Sequence, residues 1–245
     1  MKDQKLFKKI AAITAILAAP VGLGSFVLVG VAVDFNLDAV SNFSDVITLG
    51  SSAAGPLHLA WVITDFFGTL LLAPAALYLW YWLKPRSPNL VTLWTGFGFA
   101  YFLTGAIVLS FVGAAVPPLM RAYETASGPQ QDVLLVVLTT LFDMLYNGGG
   151  PLVYLFASVW WLGAGAVLGT ERRILGIVTM VLGIFGLVVW VEQTFRIEPL
   201  VFIEDVIFYL TYIWAVWLGI VIWRSADKRE LAMEPATAAE QLTST

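Results

Sequence analysis

Between Ile10 and Val33 the chain runs for 24 residues without a charged side chain. Folded as a helix at 1.5 Å per residue such a run rises about 36 Å, enough to cross the roughly 30 Å hydrocarbon layer of a bilayer. Within that layer a helix is one of the two structures that satisfy all of their own backbone N–H and C=O groups. Comparable runs lie at 57–83, 90–116, 174–192 and 200–223. A further stretch, Val133 to Leu168, is 36 residues long and would measure about 54 Å as one helix, more than a bilayer needs. Gly148, Gly149, Gly150 and Pro151 sit inside it, where helical hydrogen bonds are most easily interrupted. The spanning part is therefore expected at 145–168, with 133–144 projecting or interfacial. The expected fold is all-α: a polytopic integral membrane six-helix bundle over 1–224, followed by a tail at 225–245. That tail has no apolar face to bury and is expected to be disordered.

Composition agrees and removes several function classes. Hydrophobic residues make up 59% of the 245 positions and charged residues 12%, about half the share of a soluble domain; the mean hydropathy is +0.85. With no cysteine and one histidine, His58, there is no thiolate metal centre, disulfide or bis-histidine haem to build. A net charge of -4 argues against nucleic acid as a partner. Gly96-Phe97-Gly98 follows no strand, so a nucleotide-binding loop is not expected. No lysine lies within a span, which excludes a retinal Schiff base. No cofactor is expected, and catalysis is disfavoured: a membrane-embedded hydrolase with Asp65 or His58 as base would lack a recognisable nucleophile.

Charge placement gives an orientation. Lys2, Lys5, Lys8, Lys9, Lys84, Arg86, Arg172, Arg173, Arg224, Lys228 and Arg229 fall in alternate connecting segments, leaving only Arg121 and Arg196 on the other side. The positive-inside rule then puts both termini in the cytoplasm, with the first run as a retained anchor rather than a cleaved signal. The outer side carries Asp34, Asp38, Asp45, Glu124, Asp132, Glu192 and Glu198. Trp80, Trp82, Trp94 and Trp223 mark inner ends and Trp61 and Trp190 outer ends, where amphipathic rings sit at headgroup level. The Trp160-Trp161 and Trp214–Trp217 segments are read as part of the same belt. Pro56 and Pro199 are expected at helix starts, Pro117 and Pro118 at the end of the third span, and Pro20 and Pro74 at bends. The stripes Ala11, Ala15, Ala19 and Gly165, Gly169 allow close helix packing, more often within one chain than between two.

Ionisable groups inside spans cost about 2.5–3.5 kcal/mol each at the centre on insertion scales, so each calls for a partner, a cavity or a function. Five qualify: His58, Asp65, Asp143, Glu204 and Asp205. His58 and Asp65 are seven residues apart, on nearly one face, and Thr69 extends it. Asn147 follows Asp143 at i+4, and Tyr209 and Tyr212 follow Asp205 at i+4 and i+7. If the second, fourth and sixth helices converge, these nine residues line an acidic cavity open to the outside that favours cations. The plainer alternative places His58, Asp143, Glu204 and Asp205 one turn inside the interface, hydrated or bonded to helix N-termini, leaving Asp65 as the deepest carboxylate.

Lys9-Ile10-Ala11-Ala12 with Pro20, Asp34-Phe35-Asn36, Leu83 to Pro88, Trp160 to Gly163, and Glu171-Arg172-Arg173 ahead of Leu175-Gly176 together resemble a family of bacterial polytopic membrane proteins known as a domain of unknown function. That resemblance implies six spans and a bacterial cytoplasmic (inner) membrane, and it carries no site residue across. Two functions follow from the residues. One is binding or permeation of a cation, proton or small cationic solute through the outer cavity. The other is a structural or accessory subunit whose partners are the lipid bilayer and other membrane chains, a second copy included.

Overall fold

The computed structural model describes residues 2–36, 43–63, 68–195, 197 and 201–225, with backbone alone at 2, 43, 44, 146, 201, 202, 204, 205 and 208. Every regular element among them is helical, the main ones being α1 (Lys2–Ala32), α2 (Gly50–Ile63), which follows a short helix at Phe43–Val46 and a 3-10 turn at Ile47–Leu49, α3 (Ala73–Leu83), α4 (Pro88–Thr125), α5 (Gly128–Phe142), α6 (Gly150–Leu168), α7 (Arg173–Phe195) and α8 (Val201–Arg224). Asp3–Ala32, Pro88–Thr125, the continuous Gly128–Leu168 and Arg173–Phe195 are long and apolar enough to cross a membrane, and Ile47–Ile63, Leu70–Leu83 and Tyr209–Arg224 are shorter apolar helical stretches. The chain is an all-α protein with the elements of a membrane helical bundle. Residues 226–245 and Pro199 lie outside the described residues.

Several helix ends differ from the sequence expectation. The third long helix does not stop at Pro117-Pro118 but continues to Thr125 with both prolines inside. Pro56 likewise lies within α2, which starts six residues earlier at Gly50. Pro74 falls in the first turn of α3, directly after a 3-10 turn at Leu70–Leu72. The 133–168 stretch does not break at its glycines. It widens into a π-helix over Asp143–Gly149 and goes on as α6, so the backbone keeps hydrogen bonds of wider ring size. α1 ends on two left-handed residues, Asp34 (φ 51°) and Phe35 (φ 60°), and the Phe35 N–H closes on the Gly30 carbonyl at 2.7 Å, satisfying one of the helix's orphan acceptors.

The helices pack as a ring in chain order: α1 against α2 and α3, these against α4, α4 against α6, α6 against α7, α7 against α8, and α8 back against α1. Two of these seams need glycine. A Cβ at Gly176 in α7 would sit 2.7 Å from the Gly165 carbonyl and onto the Gly169 backbone, and one at Gly219 in α8 would sit 2.7 Å from the Ala12 carbonyl. Backbones therefore touch at both seams, the geometry that small residues permit in membranes. The ring's interior is filled. Trp160, Trp161 and Trp214 are at most 2% exposed and meet one another and Phe102 at ring-centroid distances of 5.2–6.3 Å. These tryptophans form a core and not an interfacial belt, because the amphipathic ring loses its headgroup position once neighbouring helices close over it. The Trp214 indole N–H has found a partner inside, donating to Thr179 Oγ1 at 2.8 Å.

The two ends of the bundle differ in charge. At one end Gln4 donates to Tyr81 (2.6 Å), Lys8 donates to the Ser225 carbonyl, and Arg86 pairs with Glu171. These contacts gather Lys5, Lys8, Lys9, Lys84, Arg86, Arg172, Arg173 and Arg224 together. At the other end the Ser51 N–H donates to Glu124 Oε2 at 3.0 Å, a carboxylate from α4 meeting the free N–H groups at the start of α2.

Candidate functional site

Asp65 falls outside the described residues, and the side chains of Glu204 and Asp205 are likewise not described; their backbone is helical. The other six candidates have described surroundings. His58 projects from α2 toward α4, its Nδ1 2.7 Å from the carbonyl oxygen of Gly113. A carbonyl only accepts, so Nδ1 carries a proton. Pro117 has no N–H to give the carbonyl four residues back, and His58 supplies the missing donor. Thr69 is buried, its methyl facing Gly105 in α4. Asn147 donates to Asp143 Oδ1 at 3.1 Å on the exposed face of the π-helix. Tyr209 meets Phe26 of α1 edge-on at 6.5 Å, and the Tyr212 ring packs over Gly22. Thus His58 bonds across α2 and α4, Asp143 and Asn147 pair within the π-helix, and Tyr209 and Tyr212 of α8 lie against α1.

A different acid is enclosed. Glu192, counted from the sequence among the outer-loop acids, lies within α7 and is only 6% exposed. Its Oε2 is buried, and no donor reaches it among the described residues. The position follows from the helix register. Leu182 and Val189 form the fully buried face of α7, and Glu192 is the next residue of that face at i+3 and i+10. The face was visible in the sequence. What hid it was ending the span at Glu192 itself, since α7 continues to Phe195 and the Ile197 N–H folds back onto the Glu192 carbonyl at 3.1 Å.

Neighbouring helices enclose this acid at the end opposite the basic cluster. Gln193 Oε1 lies 3.1 Å from where a Cβ of Gly150 would be, bringing the start of α6 against the same turn. Thr179 is bonded to Trp214 of α8, and Glu192 lies thirteen residues farther along α7. A buried acceptor without a donor costs about 1–3 kcal/mol, more when charged, so an occupant that supplies positive charge or a proton is favoured there. No group of three His, Asp or Glu side chains suited to a metal ion is present among the described residues. A second unpartnered polar atom, Trp161 Nε1, lies in the tryptophan core nearer the bundle's middle.

Set against known proteins, the chain matches no family model, no curated protein and no solved structure.

Proposed function

We propose that this chain is a six-span protein of a bacterial cytoplasmic membrane, with both termini inside, that binds a proton or small cation in the outer half of its bundle. The observation that carries the proposal is the Glu192 carboxylate, enclosed within α7 with Oε2 lacking a donor among the described residues. The orientation rests on the basic end gathered by the Gln4, Lys8 and Arg86 contacts, which the positive-inside rule assigns to the cytoplasm. Binding is favoured over permeation because Trp160, Trp161, Trp214 and Phe102 fill the ring below the site. An outer pocket of this kind suits a sensor or receptor.

The test is thermal unfolding of the purified full-length chain while sodium, potassium, tetramethylammonium and proton activity are varied in turn at constant ionic strength. A ligand that binds only the folded state at a hundred times its Kd adds about 2.7 kcal/mol. Wild type is expected to respond to at least one of these and Glu192→Gln to lose that response. Equal responses in both proteins, or none in wild type, would reject the site. Asp65→Asn in the same assay separates a shared acidic cavity, where both variants fail, from a site on Glu192 alone.

One observation favours the accessory-subunit alternative. His58 serves the backbone of α4 rather than a ligand, as expected where intramembrane polar groups are structural.

A further inference from the structure

A groove of about 410 Å³ opens between α1 and α8 at the basic end, lined by Ile13, Ile16, Ile220, Trp223 and Arg224. α1 and α8 touch at Gly219, against which the Ala12 carbonyl and the Ile16 side chain both lie, and the groove runs beside that contact. Ile13, Ile220 and Trp223 are 45%, 37% and 51% exposed although apolar or amphipathic, so the trough faces outward, where a bundle of this kind meets lipid. Its volume falls within the roughly 300–1,000 Å³ of small-molecule sites.

We infer that this groove holds one anionic phospholipid of the inner leaflet, its acyl chain along Ile13, Ile16 and Ile220 and its phosphate on Arg224. Charge complementarity argues for that occupant. Arg224 is the one charged residue of the lining, stands exposed at its rim, and has no carboxylate partner among the described residues. A guanidinium binds phosphate in a planar, two-pronged arrangement. Trp223 lies beside it with its ring half exposed, as an indole at headgroup depth does. Lys8, held against the carbonyl of Ser225, the residue after Arg224, adds positive charge at the same end. The inference rests on the membrane orientation and is independent of Glu192.

The experiment is native mass spectrometry of the full-length chain, delipidated in detergent and given phosphatidylglycerol or phosphatidylcholine of identical acyl chains. Wild type is expected to retain phosphatidylglycerol about fivefold better, the effect of one well-placed basic side chain. Arg224→Gln should bring the two lipids level, Arg224→Lys should keep part of the preference, and Arg173→Gln, at the same end but off the groove, should leave it unchanged. Ile220→Trp, which fills the trough, should lower retention of both lipids. The inference is overturned if Arg224→Gln keeps the wild-type preference, or if Arg173→Gln loses as much of it, since the charge would then act diffusely. Circular dichroism of each variant, matching wild type, shows that a loss is local.

Discussion

His58 Nδ1 and the carbonyl of Gly113 are 2.7 Å apart, and the reason for the bond stands four residues further along α4, at Pro117. A proline in a helix interior leaves the carbonyl at i−4 without its donor. In water that carbonyl would hydrate; in a membrane it needs a side chain. The single histidine thus makes up for a missing N–H on a neighbouring helix, and the long helix passes through its two prolines to Thr125.

The pair makes a double-mutant cycle. His58→Ala should cost about 1–3 kcal/mol, the penalty of an orphaned buried acceptor. Pro117→Ala restores an N–H that can reach Gly113, so His58→Ala in that background should cost only a few tenths of a kcal/mol. Thermal or denaturant unfolding of the four proteins measures the coupling, expected near 1 kcal/mol or above. Purely additive effects would mean that the histidine bond and the missing amide are unrelated.

Glu192 supports a prediction of opposite sign. A buried acid kept without a donor lowers stability in favour of a site, so Glu192→Leu, close in volume, should raise resistance to unfolding in ligand-free buffer by about 1–3 kcal/mol. The same variant should lose any cation-dependent stabilisation. A less stable Glu192→Leu protein would show that the carboxylate is already satisfied within the fold.

Gly176 tests the seam between α6 and α7. A methyl there meets the Gly165 carbonyl at 2.7 Å and the Gly169 backbone, and backbone cannot swing aside as a side chain does. Gly176→Ala is expected to cost about 1–3 kcal/mol, as overpacking does, despite alanine's better helix propensity. Gly96→Ala, where a Cβ meets nothing within 4 Å, should be neutral or slightly stabilising. Parallel melting curves of the two variants decide it.

Much of the architecture was legible because apolar run length and charge alternation act over tens of residues. α1, α7 and α8 end at Ala32, Phe195 and Arg224, within a few residues of the ends of the expected spans, except that α1 begins at Lys2 through its basic turn. What sequence missed depended on partners distant in the chain. Pro117 reads as a terminator until His58 is seen bonding Gly113. Trp160-Trp161 reads as a belt until α4 and α8 are seen to cover it. Glu192 reads as a loop acid until α7 is seen to extend one turn past it. The candidate stripe was sound as helix geometry for Asp143 with Asn147, which lie four residues apart and are bonded. Whether three such stripes face one another depends on helix azimuths, which the pattern of residues does not encode.

Trp161 and Trp214 give the final comparison, because they share one cluster and differ in one bond. Trp214 Nε1 donates to Thr179 Oγ1 at 2.8 Å, whereas Trp161 Nε1 is buried with no acceptor among the described residues. Replacing either by phenylalanine removes similar ring area and leaves a similar void. In Trp214→Phe a satisfied hydrogen bond is lost as well, about 0.5–1.5 kcal/mol. In Trp161→Phe an unsatisfied donor disappears, which offsets part of the packing loss. Trp161→Phe is therefore expected to be the milder variant by about 1–3 kcal/mol in matched unfolding measurements. If the two are equally destabilised, the Trp161 indole has an acceptor that the bundle itself provides. If Trp161→Phe is the worse, that N–H anchors something essential in the core.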